Sequence, residues 1–141
     1  MPENYIRNAI VYGQFFWDFY NSQRKEVQDK IDWVIGLVRS LPIIPEKYFK
    51  HLEGTDGLFE MRVKVGGDIY RIFCCFDKGN LIILFNGFQK KSDKTPRQEI
   101  ERAKKLQRQY YEKNYHVQWQ KNRFHGLNLH RWPTHGRSPR A

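Results

Sequence analysis

The chain has 141 residues, 40% hydrophobic and 16% aromatic, which is enough for one compact domain with a core and too few for two. Its formal net charge of +10 is unevenly placed: residues 1–60 carry 7 basic and 9 acidic side chains, whereas residues 61–141 carry 18 and 6. That asymmetry points to a polyanionic partner, nucleic acid or an acidic protein, and argues against a membrane role, since no apolar run reaches spanning length and MPENYIRN has no signal pattern.

Ile10-Val11-Tyr12 predicts a short first strand, and Phe15 to Tyr20 an aromatic helical turn. Val27, Ile31, Val34, Ile35, Val38 and Leu41 recur at three- and four-residue steps, with Arg24, Lys25, Asp29 and Asp32 between them. This predicts an amphipathic helix, capped by Asn21 or Ser22 and ended by Pro42 and Pro45. After a loop holding His51 and Gly54 the period becomes two. Phe59, Met61, Val63 and Val65 alternate with Glu60, Arg62 and Lys64, which predicts a strand with one apolar and one charged face. A Gly66-Gly67-Asp68 turn leads to a second strand, Ile69 to Phe76, and Asp77-Lys78-Gly79-Asn80 turns into a third, Leu81 to Phe85, giving an antiparallel meander. Adjacent Cys74 and Cys75 point to opposite faces of their strand, so they neither share a metal nor form an ordinary bridge, which fits a reducing cytoplasm.

A basic helix is predicted from about Pro96 to Tyr111 or slightly beyond, with Thr95 as its cap. Residues 121–141 contain five basic residues, no acidic ones and two prolines, and read as a disordered basic tail behind a domain of residues 1–120. His116, His125, His130 and His135 match no zinc template, and no metal or other cofactor is expected.

Arg71 interrupts an apolar strand, where a charge is costly unless it reaches solvent or pairs with an acid. If Arg62 and Arg71 flank one sheet face, with Lys90 and Lys91 leaving the third strand beside them, three strands supply cations to one phosphate-binding concavity. Lys64 and Lys94 extend the charge. Phe88 is a candidate to stack on a base, and Tyr70 is a further RNA-binding candidate. Glu60, next to Arg62, reads as an ordinary ion-pair partner. Arg71→Ala is expected to abolish activity with little change in stability.

LEGTDGLFEMRVKVGGDIYRIFCCF and LFNGFQKKSDKTPRQEIERAKK, together spanning Leu52 to Lys105, resemble the RelE/ParE superfamily of bacterial toxins, in its HigB-like, phage-related branch. GLFEMR, YRIF and GFQKKSDKTP in this order carry the resemblance. It implies a small α+β fold, a twisted, mainly antiparallel sheet with N-terminal helices on one face and a basic C-terminal helix. It also implies an mRNA endonuclease that works on translating ribosomes, neutralised by a cognate antitoxin of helix-turn-helix type. The positions matching the family's catalytic cations are Arg62, Arg71, Lys90 and Lys91, with Arg71 on the scissile phosphate. Glu60 stands where some relatives carry a basic residue, which leaves the base unassigned; His51 reads as incidental. Two other functions fit the same resemblance: a ParE-like inhibitor of DNA gyrase, and an inactive RNA- or ribosome-binding module.

Overall fold

A computed structural model describes the backbone of residues 5–120 and 130–131 and the side chains of residues 5–113. The elements run β1 (Asn8–Val11), α1 (Phe15–Asn21), α2 (Lys25–Ser40), β2 (Phe49–His51), β3 (Leu58–Val65), β4 (Asp68–Asp77), β5 (Leu81–Lys90), α3 (Arg97–Gln120) and β6 (His130–Arg131). They form one sheet in the order β2-β3-β4-β5-β1-β6. Strand β1 lies parallel to β5, and every other pairing is antiparallel. The expected α+β class and meander are therefore present, and the long connection that the parallel pair β1 and β5 requires runs through α1, α2 and strands β2 to β4.

Because side chains alternate along each strand, the sheet builds two cores. On one face Val27, Ile31, Val34, Ile35 and Val38 of α2 meet Met61, Val63, Tyr70, Ile72 and Cys74. On the other, Ala103, Leu106 and Tyr110 of α3 meet Leu58, Phe73, Cys75, Ile83 and Phe85. The two adjacent cysteines fall in different cores, as the alternation requires, and both are free. Burial pushes the Cys75 thiol up to about 11 and that of Cys74 well above its ordinary value, so neither is a thiolate nucleophile at neutral pH.

Several boundaries differ from the sequence-based ones for local reasons. Asn21 ends α1, Ser22 caps it by donating Oγ–H to the Phe19 carbonyl at 2.8 Å, and α2 begins instead after Arg24. Strand β2 is three residues long, with Phe49 alone buried, too short to show a period. Strand β5 continues past Phe85 to Lys90 through a bulge: Cys74 pairs with Leu84 but Ile72 with Gly87, so Phe73 faces both Phe85 and Asn86. One extra residue breaks the alternation and hides the second half of the strand from a period-two reading. Of the tail, only His130 and Arg131 are described, as a short strand beside β1; the rest of the expected disorder lies outside the described residues.

Two residues, one before the meander and one inside it, let the layers close on each other. The Arg7 guanidinium donates to the carbonyls of Val38 (2.8 Å), Leu41 (2.6 Å) and Pro42 (3.0 Å), closing the C-terminal end of α2, where carbonyls lack helical partners. Arg7→Ala should lower stability by about 2 kcal/mol, the scale of hydrogen bonds from a charged donor, and urea unfolding with an unchanged slope would measure it. Gly87 sits where β5 passes under α1, and a Cβ there would clash with the edge of the Phe19 ring. Gly87→Ala should therefore destabilise by about 1–3 kcal/mol through overpacking, and Phe19→Leu should recover part of that loss in the same unfolding assay.

Candidate functional site

Helix α3 packs over Leu58, Phe73, Cys75, Ile83, Phe85 and Phe88. Farther along the same sheet face the alternation of β3 supplies Glu60, Arg62 and Lys64, and that of β4 supplies Arg71 and Ile69. Register fixes their neighbours: Arg62 lies opposite Arg71, Lys64 opposite Ile69, Arg71 opposite Phe88, and Ile69 opposite Lys90. Two arginines facing each other across a ladder repel unless an anion lies between them.

That anion is Glu60. Its Oε2 lies 2.6 Å from Arg71 Nε and 3.5 Å from Arg62 Nε. Glu60 and Arg71 are 7% and 6% exposed, so this is a buried pair, while Arg62 remains about one-third open to solvent. The 2.6 Å contact is close but badly angled: Arg71 Nε has no aligned hydrogen-bond acceptor, and Nη1 donates to the Tyr70 carbonyl at 3.3 Å. Burial lowers the Arg71 pKa from its ordinary value; the Glu60 charge opposes this and Arg62 adds to it. Nε itself is buried, so a second anion reaches this guanidinium only through its Nη groups.

A concavity of about 390 Å³ opens here, lined by Lys30, Lys47, Tyr48, Arg62, Val63, Lys64, Gly66, Ile69 and Arg71. Lys30 comes from α2, and Lys47 and Tyr48 from the segment entering β2. The Arg62 amide donates to the Tyr48 carbonyl at 2.8 Å, which ties that segment to the arginine strand. Among the described residues five cations line the space and no carboxylate does, Glu60 being paired with the two arginines without lining it. Among the described residues none of Lys30, Lys47 or Lys64 is in an ion pair.

Of the residues expected from sequence, Arg62, Arg71 and Lys64 meet in the concavity, and half-buried Lys90 lies one strand beyond Ile69 at its edge. Lys91 and Lys94 are exposed in the loop that follows β5 and do not line it. Phe88 is packed against Phe73 with ring centroids 5.3 Å apart, inside the core under α3, so its ring face is not open to a base. Tyr70 points to the opposite sheet face, against Phe19, because it precedes Arg71 by one residue. The expectation that Arg71 is dispensable for stability also changes, since it neutralises a buried carboxylate. Sequence reasoning passed over Lys30, Lys47 and Tyr48, which are remote along the chain, and gave Glu60 only the partner beside it.

These features define a small α+β protein whose sheet carries a cation-lined concavity around a buried carboxylate. The family model described as "Phage derived protein Gp49-like (DUF891)" matches residues 18–108, from α1 to the middle of α3, and the chain belongs to that family, a RelE- and HigB-type toxin-like family. No curated protein matches the chain. No helix among the described residues is long and apolar enough to cross a membrane.

Proposed function

We propose that this protein is the toxin of a type II toxin-antitoxin pair and that it cleaves mRNA on translating ribosomes as a metal-independent endoribonuclease in the cytoplasm. The observation that carries this reading is a concavity lined with cations, two of which, Arg62 and Arg71, hold the buried Glu60 carboxylate next to it. Phosphodiester cleavage by the neighbouring hydroxyl needs a base, charge neutralisation and an acid, roles that this reading gives to Glu60, the two arginines and Lys90. Glu60 takes the proton of the 2′-OH as that oxygen bonds to phosphorus. Arg71 and Arg62 hold the non-bridging oxygens, whose charge grows in the transition state. The P–O5′ bond breaks, and Lys90 donates a proton to the leaving oxygen. The products are a 2′,3′-cyclic phosphate and a 5′-hydroxyl.

Membership of a toxin-like family supports an antitoxin as the protein partner, and the helix-turn-helix type is the expectation carried by the sequence resemblance. Incubating the protein with translating ribosomes and mapping new mRNA ends tests the proposal directly. Cleavage within the translated message is expected. Intact mRNA together with inhibited DNA supercoiling would overturn it in favour of gyrase binding, and intact mRNA with ribosomes still bound would leave a binding module without catalysis.

A further inference from the structure

Trp33 is 39% exposed on α2, outside the stripe of Val27, Ile31, Val34, Ile35 and Val38 that faces the sheet. It is therefore not needed for the core, yet it is held in place. Its ring meets Tyr48 in a T-shaped contact at 5.5 Å and 77°, and Lys30 Nζ lies 4.4 Å from its centroid. Lys47 Nζ in turn sits 5.4 Å from the Tyr48 ring. Two aromatic rings flanked by two lysines with no ion-pair partner among the described residues make a wall that continues the arginine floor, since Tyr48, Lys30 and Lys47 line the same concavity as Arg62 and Arg71.

We infer that Tyr48 and Trp33, with Lys30 and Lys47, form a nucleotide subsite that seats the base and phosphate next to the scissile phosphate of single-stranded RNA. The inference rests on the endoribonuclease reading and names where the substrate lies on that site. Aromatic faces accept any base by stacking, and ammonium groups accept the intervening phosphate as point charges, so the subsite grips the strand without selecting its sequence. The backbone bond from Arg62 to the Tyr48 carbonyl makes the spacing between stacked base and scissile phosphate a fixed feature of the fold.

The test is equilibrium binding of two short fluorescent probes: an all-2′-deoxy single strand, which cannot cleave itself, and an abasic strand of the same length. Tyr48→Ala and Trp33→Ala should each weaken the base-bearing probe by roughly tenfold, within the range for loss of one stacked base, and leave the abasic probe unchanged. Tyr48→Phe and Trp33→Phe should restore binding, and thermal melting identifies any variant that has lost its fold. Equal losses on both probes, or no loss on either, would overturn the subsite. Ribosome-bound mRNA cleavage is read separately: cleavage that persists while the aromatic variants bind normally removes the subsite and leaves the endoribonuclease standing, whereas no cleavage by the wild type removes the reading beneath it.

Discussion

Glu60→Gln should abolish mRNA cleavage, lowering the single-turnover rate by about 10²–10⁴-fold, the contribution of a positioned general base. The substitution keeps the shape and the hydrogen-bonding oxygen of the side chain but removes its charge. It also takes a negative charge from beneath two arginines that lie opposite each other, so the site becomes more positive. Binding of a non-cleavable RNA should therefore stay the same or tighten while cleavage disappears. Rapid-quench kinetics and equilibrium titration separate the two. A variant that cleaves normally would make Glu60 a structural counter-ion and nothing more. One that loses binding and cleavage together would mean that the carboxylate organises the arginines without touching the proton.

The second large effect belongs to Arg71. Arg71→Ala should lose cleavage entirely and also destabilise the fold by about 2–3 kcal/mol, because a buried carboxylate then keeps only its 3.5 Å neighbour Arg62. Arg71→Lys should recover more stability than activity, since a point charge neutralises Glu60 but cannot offer the planar pair of donors that a phosphate accepts. The double variant Glu60→Leu, Arg71→Met provides the decisive contrast. Replacing a buried ion pair by apolar side chains is often neutral or stabilising, so chemical unfolding should return to about the wild-type midpoint while cleavage stays absent. If the double variant remains as unstable as Arg71→Ala, the loss comes from packing at this position and not from the stranded charge.

The hairpin of β3 and β4 was legible in the sequence because charged and apolar residues alternate strictly from Phe59 to Val65, and that same alternation placed Arg62 on a charged face. Helix α2 was legible from its apolar steps. The second half of β5 was not, because the extra residue at the bulge shifts the period just before Phe88 and Lys90. Phe88 looked like a stacking ring because it stands beside lysines in the sequence, but the continued strand carries it under α3. Tyr70 and Arg71 are neighbours along the chain and occupy opposite faces. Glu60 gained its second partner only from register: it is offset by two pairs from the Arg62–Arg71 rung, on the same face, a diagonal relation that spacing within one strand cannot reveal. Lys30, Lys47 and Tyr48 reach the concavity from helix and loop segments whose convergence depends on how α2 packs on the sheet.

The central claim is that Glu60 and the two arginines drive attack by the RNA's own 2′-hydroxyl. The chemistry of the cleaved ends tests it most directly. Message cut on translating ribosomes by the wild-type protein should carry 2′,3′-cyclic phosphate and 5′-hydroxyl termini, and a message with a 2′-deoxy nucleotide at the cut site should remain whole. Cleavage of the 2′-deoxy message, or 5′-phosphate termini, would contradict the account, because the attacking oxygen would then come from water and the base at Glu60 would have no hydroxyl to activate.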